Sequence, residues 1–237
     1  MTDLPAIEAA LGIVVPVLDE GRELASRLGE LQHMRARGAR LVVVDGGSSD
    51  DSLAIAAGLA DLAFVAAQGR ARQMNAGAAA CAAGLLLFVH ADTRLPHDAD
   101  MLIRRALRGR HQWGRFDVKI DSARPLLRLV ETMMNLRSRW TGIATGDQAI
   151  FVRRELFERV GGFPDQPLME DVALSTLLKR QGPPACLQAR VTTSARRWEQ
   201  HGAWPTILLM WRLRAAYFFG ADPSKLALRY GYRPPQR

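Results

Sequence analysis

The sequence predicts an α/β protein built on a Rossmann-like, mostly parallel sheet flanked by helices. Three observations predict it. Short apolar, β-branched runs recur through the first ninety residues, segments of helical periodicity separate them, and three of the runs stop at acidic turns. Strands that read as unbroken apolar runs belong to parallel sheets covered on both faces. In such sheets ligands bind beyond the carboxyl ends of the strands, so the residues just after each run carry the functional information.

The first run is Leu11–Val17, a buried strand by its composition. Glu20–Arg37 follows with helical periodicity through Leu24, Leu28 and Leu31. Leu41–Val44 is the second strand, stopping at Asp45-Gly-Gly-Ser-Ser-Asp50, where Ser49 or Asp50 suits the N-cap of a helix over Asp51–Ala60. Leu62–Ala66 is a third strand, Ala71–Ala83 a helix rich in small residues, and Gly84–Val89 a fourth strand. The second half is less regular. It predicts strands at Trp113–Ile120, Ala149–Val152 and Ala185–Val191, and helices at Leu126–Trp140, after Val152, at Asp171–Arg180 and at Pro205–Phe219. Gly161-Gly162 ends the short helix after Val152.

At 237 residues the chain suits one large domain, or a domain with a small appendage. The formal net charge is +8, mostly from arginine, which favours phosphate, anionic lipid or nucleic-acid partners. No basic stripe with interleaved aromatics and no known nucleic-acid module is present, so nucleic acid is not expected as a partner. Cys81 and Cys186 stand apart among small apolar residues, which supports neither a zinc site nor a disulfide framework and fits a reducing compartment. The N-terminus lacks a basic, apolar leader pattern, and no run reaches the roughly 18–20 apolar residues of a membrane span. The expected location is the cytoplasm, with or without peripheral contact at the inner face of the membrane.

The acidic turns are Asp19-Glu20, Asp45-Gly46-Gly47 and His90-Ala91-Asp92. A carboxylate at a strand end accepts from ribose hydroxyls or a base N–H, or holds a divalent metal against a pyrophosphate. One such turn is commonplace, because Asp and Gly are ordinary turn formers. Three together are a specific arrangement.

These segments resemble family 2 glycosyltransferases with the GT-A fold. Ile13-Val-Val-Pro-Val-Leu-Asp-Glu20 is similar to that family's opening strand and turn, and Val43-Val-Asp-Gly-Gly-Ser-Ser-Asp50 to its Val-Asp-Asp-Gly-Ser-x-Asp segment. Gly69-Arg-Ala-Arg-Gln-Met-Asn-Ala-Gly77 resembles a helix start of the family, and Phe88-Val-His-Ala-Asp-Thr93 falls where its Asp-x-Asp signature lies. Gly161-Gly-Phe163 and Glu170-Asp171 resemble its Gly-Gly-Phe and Glu-Asp elements. The resemblance spans roughly residues 11–180.

It implies a nucleotide-diphospho-sugar donor, transfer to an acceptor hydroxyl with inversion, and a divalent cation, Mg²⁺ or Mn²⁺. Pro16, Glu20 and Asp45 are then expected to line the base and ribose. Arg70 or Arg72 is expected to face the diphosphate, since a guanidinium fork suits phosphate oxygens. Asp92 is the expected metal ligand. Asp171 is the expected general base and Glu170 its competitor; both also suit the start of a helix, where acids complement the dipole. Asn75 is expected to fix a loop. His90 stands where the family has its first Asp, which weakens a carboxylate clamp and leaves the metal's identity open.

The resemblance places Asp147 and Gln148, in Thr145-Gly-Asp-Gln148, near the acceptor pocket. It gives Arg197 a diphosphate contact, Trp198 a pocket wall, and His201 a reach to metal or phosphate. It divides the chain into a transferase domain over residues 1–200, with a nucleotide-sugar half at about 11–95 and an acceptor half at about 96–200, followed by a helical extension over 201–237. The His-Ala-Asp-Thr, Gly-Asp-Gln and Ala-Arg-Arg-Trp combination resembles a compact bacterial subgroup associated with arsenosugar biosynthesis, whereas other relatives glycosylate carotenoids or lipid carriers. The acceptor is accordingly a small molecule or a lipid. Trp204, Leu208, Trp211, Ala215 and Phe218 share one helical face, which either packs on its own domain or rests on an anionic membrane. Two other readings remain at this level: a nucleotidyltransferase, disfavoured because Pro16-Val-Leu-Asp-Glu20 stands where its phosphate loop belongs, and a non-catalytic protein with a degenerate nucleotide site.

Overall fold

The computed structural model describes residues 10–232, apart from the side chains of Arg197 and His201. Eight strands form one sheet: β1 (Leu11–Val17), β2 (Arg40–Asp45), β3 (Leu62–Val65), β4 (Leu85–Phe88), β5 (Thr93–Arg94), β6 (Trp113–Asp121), β7 (Phe151–Arg153) and β8 (Ala185–Ser194), in the order β3-β2-β1-β4-β7-β6-β8-β5. β1 lies between β2 and β4 and is parallel to both, and β3 is parallel to β2. The apolar runs therefore become the parallel half of the sheet, with every residue of β1 buried. The other half is mixed. β7 is antiparallel to β4 and β6, β8 is parallel to β6, and β5 is antiparallel to β8.

The helices are α1 (Gly21–Glu30), α2 (Gln32–Ala36), α3 (Ser52–Leu59), α4 (Arg70–Ala80), α5 (Ala99–Arg108), α6 (Pro125–Thr141), α7 (Arg154–Arg159), α8 (Glu170–Gln181), α9 (Arg196–His201), α10 (Ala203–Phe218) and α11 (Pro223–Tyr230). Side-chain alternation divides the core between the two faces of the sheet. Ile13 and Val15 of β1 join a cluster with Leu24 and Leu28 of α1 and Ile103 of α5. Val14 joins the opposite cluster, with Met74 of α4, Phe157 of α7 and Leu174 of α8. The small residues of α4 have a packing reason. A Cβ on Gly77 would lie 2.4 Å from a Val14 methyl and 2.9 Å from one on Val44, so only glycine lets α4 approach this closely.

Several boundaries differ from the expectation. The single helix over Glu20–Arg37 is two, broken at Leu31, where the Gln32 side chain donates to the Leu28 carbonyl at 2.8 Å and to Leu59 O at 3.0 Å. α3 begins at Ser52, later than Ser49 or Asp50 as N-cap requires; Asp50 Oδ1 instead accepts from Ser52 N–H at 3.0 Å. α5, α9, α11 and the two-residue β5 have no counterpart among the expected elements.

The C-terminal helices are tied to the rest of the fold. Leu213 of α10 and Leu226 and Ala227 of α11 are buried with Leu168 and Met169, the residues just before α8. The face of α10 expected to be apolar points outward: Trp204, Leu208, Trp211 and Phe218 are exposed. The inward side, with Leu209, Leu213 and Ala216, is apolar as well, so the expected packing on the domain uses the other face.

Candidate active site

A cavity of about 500 Å³ opens at the carboxyl ends of β1 and β4 and is closed on the far side by the start of α8 and by α10 and α11. Pro16, Glu20, Arg70 and Asp92 line one side, and Asp147, Glu170, Asp171 and Trp198 also reach it.

The strand-end turns hold one another. Asp19 has positive φ (53°) and directs its carboxylate to Ser49, whose backbone N–H donates at 2.7 Å and hydroxyl at 3.0 Å. In return Asp19 N–H donates to Ser48 Oγ at 2.9 Å, Glu20 N–H to Ser52 Oγ at 3.0 Å, and Gly21 N–H to Asp50 Oδ2 at 2.9 Å. The second turn, with Ser48, Ser49 and Asp50, and Ser52 at the start of α3 therefore position Glu20. Gln73 joins the strands themselves: its buried Nε2 donates to Val17 O at 2.9 Å and Val44 O at 2.8 Å. Neither lacing is visible from local spacing.

Asp45 is part of this framework and not of the cavity wall. Its side chain is buried, and Oδ1 accepts from Gly47 and Ser48 N–H, both at 2.6 Å. Arg70 and Arg72 part company. Arg70, at the first position of α4, lines the cavity, whereas Arg72 pairs with Asp165 at 2.8 Å on the exposed surface. Two residues along a helix turn the side chain by about 200°, which separates them. Burial works against the charge on Arg70, but Glu170, Tyr230, Asp147 and Asp171 together raise its pKa above the ordinary value.

Asp147 reaches the cavity, but Gln148 does not. Gln148 is fully buried, with Oε1 accepting from Thr145 N–H at 3.2 Å, so it braces the short 3₁₀ turn Gly146–Gln148. His90 Nδ1 lies 3.6 Å from Asp147 Oδ1. Burial disfavours the imidazolium, but Asp147 more than compensates and raises the His90 pKa; the same contact holds Asp147 low against its own desolvation. The ring packs on Gly146, where a Cβ would come within 2.3 Å of it.

Asp171 and Glu170 open α8 behind Met169, a non-glycine residue at φ 64°. Residues in this region of backbone space are strained, and such strain concentrates at functional sites. Asp171 Oδ2 accepts from Gly146 N–H at 2.6 Å and Oδ1 from Val172 N–H at 2.6 Å. Each oxygen keeps a second lone pair for substrate. Glu170 is more deeply buried, and desolvation followed by the Asp171 charge raises its pKa. Glu20 is also raised, by burial, with Arg196 opposing from 3.6 Å. Arg196, the neighbour of the expected Arg197, thus lines the cavity. The side chains of Arg197 and His201 lie outside the described residues. Trp198 packs with Ile120 and Leu127 and walls the cavity. Asn75 Nδ2 donates to Phe163 O at 2.8 Å and its Oδ1 accepts from Phe163 N–H at 2.9 Å, fixing the Gly161-Gly-Phe163 loop.

Among the described residues no three His, Cys, Asp or Glu side chains converge to hold a metal ion. Asp92 is half-buried, and Thr93 Oγ1, at 3.3 Å, is its hydrogen-bond partner among the described residues. A single carboxylate of this kind fits an ion that takes its other ligands from substrate phosphates and water.

Solved structures share the fold. The solved structure of S. aureus TarS 1-349 in complex with UDP-GlcNAc superposes with a TM-score of 0.63 at 16% identity, covering 78% of this chain and 58% of that one. The mannosyltransferase PcManGT from Pyrobaculum calidifontis, in complex with GDP-Man and Mn²⁺, gives 0.60 at 21% identity, covering 87% of this chain and 60% of that one. A mycobacterial protein gives 0.55 at 16% identity, covering 81% and 70%. The chain thus spans about three fifths of the first two. No curated protein matches. Likeness at these identities shows the GT-A-type fold, while residues 12–161, more than half of the chain, match the family described as Glycosyl transferase family 2. The chain belongs to glycosyl transferase family 2.

Proposed function

We propose that this chain transfers a sugar from a nucleotide-diphospho-sugar to an acceptor hydroxyl, with inversion at the anomeric carbon and with a divalent cation, Mg²⁺ or Mn²⁺. The observation that carries the proposal is a cavity that gathers the strand-end residues Pro16, Glu20 and Asp92 with Arg70 and with the carboxylates that open α8. Pro16 and Glu20 border the nucleoside, and the laced turns, including Asp45, hold that wall in shape. Arg70 takes the diphosphate. Asp92 would hold the cation, which when bound neutralises charge on the departing nucleoside diphosphate.

Asp171 acts as the base. Its carboxylate is fixed by two backbone amides and retains lone pairs for the acceptor hydroxyl proton. Glu170, more buried and with its pKa raised, is the acid that favours the charge on Arg70 most and contributes to holding that cation. The acceptor is a small molecule or a lipid; the motifs resemble the arsenosugar-associated subgroup, which favours a small molecule. A panel of UDP-, GDP- and dTDP-sugars, read by thermal shift with and without Mn²⁺, tests the donor assignment. Stabilisation by one nucleotide series is expected. No metal-dependent stabilisation by any of them favours the non-catalytic reading.

One observation adds a membrane-surface contact. Trp204, Leu208, Trp211 and Phe218 of α10 are exposed, as are Leu129, Met133, Leu136 and Trp140 on one face of α6. No helix among the described residues is long and apolar enough to cross a membrane. Exposed Trp and Phe beside arginines suit an interfacial position. Sedimentation with anionic vesicles checks this: Trp204→Glu with Trp211→Glu is expected to lower the bound fraction severalfold, and unchanged binding removes this contact.

A further inference from the structure

Arg115 on β6, Arg137 and Arg139 on α6 and Arg214 on α10 fall into two sets. Arg115 and Arg139 share one acid, each pairing with Asp117. Arg137 on α6 and Arg214 on α10 have no such partner: among the described residues neither guanidinium forms a hydrogen bond or ion pair. Arg137 buries Nε and Nη2, and Arg214 buries Nε, with nothing to accept from them. Arg214 lines the cavity. A guanidinium cannot shed its proton at ordinary pH, so buried, unpartnered N–H donors are costly until an anion fills them.

We propose that Arg137 and Arg214 form an anion subsite beside Asp171, which takes the phosphate or carboxylate of a hydroxyl-bearing acceptor. This rests on the transferase reading above and specifies its acceptor. Guanidinium forks suit both anions, and holding the charged group would aim a neighbouring hydroxyl at the Asp171 carboxylate. The electrostatics agree. Burial, and then the Arg214 charge, push Arg137 down to about 10, while Asp171 opposes the shift. Arg214 also helps hold the Asp147 carboxyl low, so each arginine interacts favourably with one acid of the cavity, Arg137 with Asp171 and Arg214 with Asp147. The donor diphosphate has its own cation in Arg70, on the strand-end wall.

Calorimetry with inorganic phosphate and with glycerol 3-phosphate tests the subsite without any donor. Wild type is expected to bind both, and Arg214→Met and Arg137→Met to lose at least tenfold in affinity. Arg72→Met, on the outer surface, is expected to bind as wild type does. Without ligand, relief of the unpaired charge should leave the thermal midpoint of Arg214→Met equal to or above wild type, whereas a structural ion pair would lower it. If Arg137→Met fails to fold, Arg214→Met carries the test. Phosphatidylglycerol vesicles in place of free phosphate test a lipid headgroup as the source, and the arm in which Arg214→Met loses binding names it. Equal binding by wild type and Arg214→Met in both arms, or loss only in Arg70→Met, overturns the proposal. A nucleoside diphosphate titration on the same proteins reports on the donor site separately, so failure of one reading is not mistaken for failure of the other.

Discussion

Gly146→Ala isolates the coupling between the strand-end wall and the base. Gly146 offers its backbone N–H to Asp171 Oδ2 at 2.6 Å, and its α-carbon faces the His90 ring. An added Cβ would lie 2.3 Å from His90 Cε1 and 2.4 Å from Nε2, about 1 Å inside the ordinary contact distance of 3.4 Å. Either the ring moves into the cavity or the 3₁₀ turn moves away from α8. Overpacking of this kind costs about 1–3 kcal/mol. Retreat of the turn also weakens a hydrogen bond to a charged acceptor, itself about 1.5–3 kcal/mol. Misplacing a reacting group by about 1 Å costs on the order of 10²-fold in rate. The expected result is a kcat lower by about 10–100-fold, a thermal midpoint lower by several degrees, and nucleoside diphosphate affinity within about threefold of wild type, because Pro16, Glu20 and Arg70 lie on other elements. The assays are donor turnover, differential scanning fluorimetry and calorimetry. Wild-type kcat together with a wild-type midpoint would refute the coupling.

Three predictions concern the frame. Asp100 is buried, and burial raises its pKa, but the paired Arg37 guanidinium overrides this and holds it below the ordinary value. Its contribution is therefore present above the unfolded value of about 3.9 and lost as pH falls through the lower folded value. Asp100→Asn should destabilise the protein at neutral pH and flatten its acid unfolding curve below about pH 4, seen by circular dichroism against pH; an unchanged acid limb contradicts the assignment. Asn75→Ala removes both bonds to Phe163 and should cost about 1–3 kcal/mol in urea unfolding, with turnover reduced because the loop before α8 loosens. Gly29→Ala, in α1 with open space around the new methyl, should add about 0.5–1 kcal/mol; a loss would mean the site is not open.

The parallel half of the sheet was legible because its signal is local: each strand is an apolar run, and the runs of β1 and β4 end in turn residues that line the cavity. Residues whose roles depend on helical phase or on distant partners were not. Arg70 and Arg72 look equivalent in sequence, yet α4 turns one to the cavity and the other to Asp165. Asp45 resembles a ligand-facing acid, but its carboxylate closes its own turn. Gln148 looks like a neighbour of Asp147, but the 3₁₀ turn sends it into the core. Arg196, Gln73 and the unpaired Arg137 and Arg214 emerge only once separate elements are brought together. The Ala99, Ile103 and Leu107 spacing of α5 was a readable helical signal, masked by the short polar turns on either side.

The central claim is that Asp171 removes the acceptor proton in a site that binds its donor elsewhere. Asp171→Asn keeps the shape of the side chain and its place at the start of α8 while replacing one carboxylate oxygen with an NH₂ group that cannot take a proton. Turnover of the nucleotide-sugar identified by thermal shift should fall by on the order of 10²–10⁴-fold in this variant, with calorimetric affinity for the matching nucleoside diphosphate unchanged. Full turnover by Asp171→Asn contradicts the account, and so does loss of nucleotide affinity in step with turnover.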